Sequence, residues 1–330
     1  MNNLNNLDST NPTIRWGIVG AGRIAKTFAN DIQLAEHATL VAVASRNLDS
    51  AQAFANECSV ETAYGSYAEL FASPEIDAVY IATPHTHHKE QSIAALRAGK
   101  HVLCEKPATI TPQELEEVIT VAKAEGRYFM EGMWTYFLPV ILKAQQWIQQ
   151  GRIGTLRHVR ADFGFHLPYN PDLREYDKNL AGGCLFDMGI YPIAMAWLFL
   201  KQDPDSQNVW HHNAENGVED DIAVFNSYNK NTATAQLNAS FRCKLPNYLI
   251  LIGDKGLISI SNYWGARDAK LYEQEQCIDT YTESRSCQGF NHQIEYVSLE
   301  LLSGELQPKR VSWDDSRAFQ RHIATIKKSY

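Results

Sequence analysis

The sequence predicts an α/β domain built on a doubly wound parallel sheet, followed by an α+β domain with a mostly antiparallel sheet. Three observations carry this. From Ile14 to Met130, short apolar runs alternate with stretches of helical periodicity, the pattern of βαβ units with right-handed crossovers. Beyond about residue 150, strand-like runs follow one another with turn signals between several of them and few helical stretches. The chain has 330 residues, 45% apolar and 21% charged, which suffices for two cores of ordinary globular composition.

The elements follow in order. Ile14 to Gly20 is a buried strand, and after a Gly-rich turn Ile24, Phe28 and Ile32 recur at helical spacing. Leu40–Ala44, Ala78–Ala82, His101–Cys104 and Tyr128–Met130 are further strands, and Ala51–Glu57 is helical. Thr111, Pro112 and Glu114 form a capping box with Pro at the first helical position, ahead of Leu115, Val118, Ile119 and Ala122. Later strands are expected at Leu156–Phe165, Ala223–Tyr228, Thr234–Phe241, Tyr248–Ile252 and Leu257–Ile260, and helices near Phe186–Leu200 and Trp313–Lys328. The division expected is a disordered Asn-rich tail at 1–12, a first, α/β domain at 13–132 and a second, α+β domain at 133–330.

Composition excludes several classes. Net charge is −8 and no stripe of Lys and Arg occurs, so nucleic acid is not an expected partner. No run reaches the ~18 uninterrupted apolar residues of a membrane span, and the N-terminus lacks the apolar core of a signal peptide. Six scattered cysteines without a C-x-x-C pair read as free thiols in a reducing cytoplasm.

The first chemical motif is Gly20-Ala21-Gly22-Arg23-Ile24-Ala25, lying between a strand and an amphipathic helix. Gly20 permits the tight turn, Gly22 lets a pyrophosphate approach the backbone, and Ala25 allows close packing of helix on strand. The first helical N–H groups, around Arg23 and Ile24, then face the phosphates. This is the Rossmann dinucleotide signature. The next strand ends at Ser45-Arg46, where an NAD enzyme usually carries an acid for the ribose hydroxyls. Arg46 suits a 2′-phosphate instead, so NADP is expected ahead of NAD. Asp49 competes as a ribose ligand, but a cap for a helix starting near Ser50 accounts for it better.

A second motif, Glu105-Lys106-Pro107, follows a strand directly, at the edge where ligands of such sheets bind. Together with Thr83-Pro84, His88 and the Asp187 to Tyr191 run, the ordered set resembles the glucose–fructose oxidoreductase/inositol dehydrogenase (Gfo/Idh/MocA) family over nearly the whole chain. Phe129-Met-Glu-Gly-Met-Trp134 and Ala181 through Tyr191 are most similar to its dimeric dihydrodiol dehydrogenase and NADP-dependent xylose dehydrogenase branch. That branch often has Arg where this chain has Tyr136.

The resemblance implies that Lys106 lies beside the nicotinamide and the reacting oxygen, where an ammonium stabilises a developing alkoxide and lowers the pKa of a neighbouring acid. Asp187 and Tyr191 lie four residues apart on an expected helix and share a face. Tyr191 is the candidate general acid/base, and Asp187 the residue that orients substrate or Lys106. The loop with Thr83, Pro84, His85 and His88 borders the nicotinamide, and Glu105 joins Lys106 there. A metal at His85, His87 and His88 is rejected, because no carboxylate has ligand spacing. Trp134 forms an apolar wall, and His166 is a further substrate candidate; Arg160, Phe163 and Arg174 share its stretch. The resemblance also implies a large, open-faced second sheet whose outer face pairs in a homodimer.

The expected function is NADP-dependent hydride transfer at a CH–OH or C=O group of a small polyol, aldose or trans-dihydrodiol. The alternatives are a same-fold enzyme for another sugar, inositol or amino sugar, and a dinucleotide-sensing regulator without turnover. The regulator predicts loss of Lys106 or of the helix acid, and both are present.

Overall fold

The computed structural model describes residues 12–230 and 232–330; residues 1–11 of the expected tail lie outside them. The first half runs β1 (Ile14–Val19), α1 (Arg23–Asp31), β2 (Ala38–Ala44), α2 (Leu48–Cys58), β3 (Thr62–Tyr64), α3 (Tyr67–Ala72), β4 (Ala78–Ile81), α4 (His88–Arg97), β5 (His101–Glu105), α5 (Pro112–Ala124) and β6 (Phe129–Gly132). All pairings are parallel, in the order β3-β2-β1-β4-β5-β6. Strand order reverses beside β1, so the crevice at the carboxyl ends of β1 and β4 is the switch point where such sheets bind ligands.

The second half runs α6 (Pro139–Gln149), β7 (Leu156–Gly164), α7 (Ile190–Leu200), β8 (Ser206–Asn213), β9 (Glu219–Tyr228), β10 (Ala233–Ser240), β11 (Tyr248–Gly253), β12 (Leu257–Ser261), β13 (Asp268–Glu273), β14 (Gln276–Thr282), α8 (Phe290–Leu302) and α9 (Trp313–Lys327). Eight strands form the order β14-β13-β12-β11-β7-β10-β9-β8, antiparallel except where β7 meets β10.

The capping box at Thr111 is present with both of its hydrogen bonds. Several short or polar elements carry no apolar run and escape the sequence reading. β3 has three residues, and β8 and β14 are the polar edges of the large sheet. Helices α3, α4, α6 and α8 were also not anticipated from the sequence pattern. Helix α2 begins at Leu48, and its cap is Asn47, whose side chain accepts from the Asp49 and Ser50 amides. Asp49 therefore sits inside the first turn, where a carboxylate complements the helix dipole, rather than at the cap. The apolar stretch ending in α7 has the length and composition of a membrane span, yet 83% of its apolar window is buried, as in a core helix.

The last helices return to the first sheet. The Trp16 indole of β1 donates to Ser298 of α8 at 3.1 Å, and Trp313 of α9 donates to the Phe129 carbonyl of β6 at 2.9 Å. Asp31, 2% exposed at the end of α1, accepts from the backbone amides of Gln288, Gly289 and Phe290 at 3.3, 2.8 and 2.8 Å. It thereby caps α8 from another part of the chain.

Removing the Asp31 carboxylate leaves three amides without their acceptor. Asp31→Ala is expected to cost about 3 kcal/mol, read as a lowered urea midpoint; a midpoint equal to wild type overturns this reading of Asp31.

Candidate active site

A cavity of about 680 Å³ opens between the two sheets, lined by α1, the loops after β4 and β5, the end of β7 and the start of α7. Gly20 adopts φ +103°, and a Cβ there would lie 3.0 Å from the Ala82 carbonyl oxygen; only glycine fits this turn. Gly22, at the start of α1, is different. A Cβ on it would meet no atom within 4 Å, so the space beside it is open cavity. No side chain caps α1 and no acid lies in its first turn. Its free N–H groups and partial positive charge therefore face the cavity uncompensated, which fits the diphosphate of a dinucleotide.

The carboxyl ends of β4 and β5 set the cavity floor. Lys106 follows β5 through a cis Lys106–Pro107 peptide, and its Nζ donates to the Asp187 carbonyl at 2.6 Å. Asp187 lies in a turn of π-helix, Leu185–Gly189, that runs into α7; such turns are frequent at functional sites. Pro192, in the first turn of α7, has no N–H to return to this stretch. The Asp187 carboxylate takes an Arg174 hydrogen bond at 3.1 Å. Burial disfavours its ionised form, but Lys106 and Arg174 outweigh this and hold it below the usual carboxylate range.

Tyr191 is 6% exposed. Its hydroxyl accepts from the Trp134 indole at 3.0 Å, and Lys106 Nζ stands 4.9 Å over its ring. Burial and the neighbouring Glu105 push the phenol well above its ordinary value. The expectation that Lys106 relieves this is not met here, because the ammonium faces the ring and is bound to Asp187 rather than to the phenol oxygen. Tyr191 is thus a protonated donor. Beneath it, buried Glu105 accepts from the Tyr80 hydroxyl, and burial raises its carboxyl against the opposing pull of Lys106.

Gly22, Arg23, Ile24, Thr83, Pro84, His85, Glu105, Lys106, Trp134, Asp187 and Tyr191 all line the cavity. Gly20, Ala21, Ser45, Arg46, His88 and His166 do not. Gly20 shapes the turn from behind. Half-buried Ser45 and exposed Arg46 lie where β2 ends. His88 is fully buried, with Nδ1 2.8 Å from the Pro107 carbonyl oxygen and Nε2 2.8 Å from that of Thr83. It lies between the two loops; burial holds its imidazole down at about 4, so at neutral pH it carries one N–H and donates to one of the two carbonyls, the other nitrogen resting against the second. His166 is exposed, because strand alternation turns Phe163 and Phe165 inward and their neighbour outward. Arg160 lies outside as well, bonded to Gln236. Tyr136, where the branch often has Arg, is buried, does not line the cavity and donates to the Ala194 carbonyl at 2.7 Å.

Among the residues that the sequence reading missed, Trp264, Phe290, Gln288 and Glu175 also line the cavity. Trp134 stacks on Phe290 at 4.6 Å, and Phe163 on Trp264 at 5.4 Å. Nothing in the sequence separates these aromatics from ordinary core, since loops distant in the chain deliver them. The His85 Nδ1 and Trp264 Nε1 atoms are buried without hydrogen-bond partners among the described residues, as in a site built for a polar ligand. No group of three or more potential metal-ligating side chains occurs among the described residues.

Residues 14–133 match the family model described as an oxidoreductase family with an NAD-binding Rossmann fold, and residues 141–259 match the GFO/IDH/MocA C-terminal domain. A trans-1,2-dihydrobenzene-1,2-diol dehydrogenase of Mus musculus is 38% identical over 259 residues, covering 76% of this chain and 75% of its own. The enzyme of that name from Danio rerio is 36% identical over 92% of both chains. Among solved structures, a 3-ketoreductase from Actinomadura kijaniata in complex with NADP and TDP-benzene superposes with a TM-score of 0.83 at 25% identity, over 96% of this chain and 97% of its own. An aldose–aldose oxidoreductase from Caulobacter crescentus complexed with glycerol gives 0.85 at 25% identity over the same shares.

The open space at Gly22 separates folding from binding. Gly22→Ala is expected to leave thermal unfolding within about 2 °C of wild type while weakening dinucleotide affinity roughly tenfold, measured by reduced-nicotinamide fluorescence titration. Unchanged affinity overturns the phosphate cradle.

Proposed function

For a chain that belongs to the GFO/IDH/MocA family of NAD(P)-dependent oxidoreductases, we propose that it uses NADP to oxidise a CH–OH group, or reduce a C=O group, of a small polyol, aldose or trans-dihydrodiol. The observation that carries this reading is the convergence of Lys106, Asp187 and Tyr191 in the cavity that begins at the start of α1. The nicotinamide, when bound, supplies or accepts the hydride. The chain's own residues handle the proton and the oxygen. In reduction, protonated Tyr191 donates to the carbonyl oxygen as it becomes an alkoxide, and the Lys106 ammonium stabilises that charge. In oxidation the step runs in reverse: Tyr191 first yields its own proton to solvent, Lys106 exchanges the Asp187 carbonyl for the substrate oxygen, and the substrate hydroxyl proton passes to the Tyr191 phenolate as the hydride leaves. The Arg174–Asp187 pair holds the π-turn during this exchange. The stacked aromatics support a ring-shaped substrate with an apolar face, and the names of the relatives support a trans-dihydrodiol first. Arg174, Glu175 and Asp187 give the same cavity a polar cluster, which supports a hydroxyl-rich sugar as the second reading.

The preference for NADP rests on Arg46 and on the absence of an acid at Ser45. A homodimer is supported by the outer face of the large sheet, where Trp210, Phe225 and Tyr248 are 55%, 41% and 39% exposed; Asn208 pairs with Phe225 next to Trp210, so the two rings share one patch.

The deciding experiment is reduction of NADP or NAD followed at the nicotinamide absorbance band with a trans-dihydrodiol, xylose, glucose and inositols. Tyr191→Phe should lower turnover roughly 10²-fold while the dinucleotide still binds, and near-normal turnover removes Tyr191 from the chemistry. Arg46→Ala should raise the KM for NADP far more than that for NAD, and equal effects remove the argument for NADP.

A further inference from the structure

Glu131 has no place in the reaction above, yet its surroundings set it apart. It lies on β6 within the Phe129-Met-Glu-Gly-Met-Trp134 run, is 0% exposed, and does not line the cavity. Its Oε1 accepts from the Ala108 amide at 2.8 Å, and its Oε2 is buried without a hydrogen-bond partner among the described residues. Ala108 belongs to the loop that projects Lys106. That loop is fixed by one contact from each of three elements: His88 of α4 on the Pro107 carbonyl, Glu131 of β6 on the Ala108 amide, and Gln320 of α9 on the Thr109 carbonyl at 2.8 Å. The first and last contacts are made by groups that stay neutral at pH 7. Only the middle one is made by an acid. A glutamine would accept from the same amide without the cost of burying a charge, so the carboxyl is more than an anchor.

We infer that Glu131 is a positioning residue for Lys106: its carboxyl holds the loop in place, and its protonation state adjusts the field at the Lys106 ammonium. The groups facing it are Cys104 and Glu105 from β5, Lys106 from the loop that follows, Tyr136 from the turn after β6, and Ser316 from α9, with Asp315 and Arg310 facing Tyr136. Burial keeps the Cys104 thiol and the Tyr136 phenol neutral, so Lys106 is the cation that Glu131 faces, with the Glu105 carboxyl, itself raised by burial, beside it. Burial raises its carboxyl to about 7, against the opposing pull of Ser316, the Ala108 amide and Lys106. Below that pH the acid is neutral; above it a negative charge is added behind Lys106. The consequence for rate rests on the hydride-transfer reading above; the consequence for the loop does not.

The test compares wild type, Glu131→Gln and Glu131→Ala. First, the Ala108 amide proton is followed by NMR from about pH 5.5 to 8.5 in the cofactor-free protein, a window that brackets the raised value and lies above the ordinary carboxyl range. Wild type should titrate with a midpoint near 7, and Glu131→Gln should not. Second, kcat and KM for a trans-dihydrodiol with NADP are measured over the same range. Wild-type kcat should change roughly threefold or more through that midpoint with KM constant. Glu131→Gln should give a flat kcat profile, and Glu131→Ala a lowered kcat that the glutamine variant restores. An Ala108 amide that does not titrate in wild type, or that titrates alike in both proteins, overturns the inference, as does a kcat limb that survives in Glu131→Gln. If wild type turns over no substrate at all, the hydride-transfer reading fails, and the amide titration still decides the role of Glu131.

Discussion

The hydrogen bond from Lys106 Nζ to the Asp187 carbonyl is the contact on which the site depends. Its two partners stand 81 residues apart, one at the end of a parallel strand and the other in a π-turn beneath the large sheet. A part-buried ammonium must keep its donors satisfied. Satisfying this one fixes the π-turn against β5, which brings Tyr191 under the ammonium and the Trp134 indole to the phenol oxygen. The cavity is thus the space left when the two sheets meet at this bond. Its other charges arrange themselves around it: Glu105 sits beneath Lys106, Asp187 is held ionised by Lys106 and Arg174, and His85 is kept neutral by burial and the nearby positive charges.

How much of this the sequence discloses follows from which interactions are local. The turn at Gly20 and Gly22, the capping box at Thr111 and the placement of Lys106 after a strand are dictated within a few residues, and they are legible. So are the long strands of the second sheet, whose alternation follows from having one buried face. Edge strands β8 and β14 bury little and carry no such pattern. The site residues delivered by distant loops are invisible for another reason. Trp264 and Phe290 are apolar aromatics like many in the core, and only the fold brings them to Phe163 and Trp134. The misplacement of His166 has a simple cause, since one step along a strand turns a side chain to the opposite face. His88 is legible as a residue of the site but not in its manner of acting, because its contacts with the Thr83 and Pro107 carbonyls exist only when the loops after β4 and β5 lie side by side.

The polar groups near the cavity fall into two kinds. Asp31, Gln320 and His88 serve backbone groups that folding would otherwise leave unpaired, and they make the loops rigid. His85 and the Trp264 indole keep atoms in reserve, buried and unpartnered. Such atoms also occur elsewhere among the described residues, as at Gln202 Oε1 and Gln320 Oε1, but these two belong to residues that line the cavity with Lys106 and Tyr191. Rigid loops with spare donors are the arrangement that preorganised catalysis requires.

The return of α8 and α9 to the first sheet has a bearing on how the protein is made. The Trp16 indole waits for Ser298, 282 residues later in the chain, and Asp31 waits for the amides of residues 288–290. A nascent chain emerging from the ribosome therefore completes its parallel sheet long before the helices that cover it are synthesised. During that interval the apolar flank of β1 and α1 stays uncovered, and the half of the molecule that is translated first is among the last to be sealed.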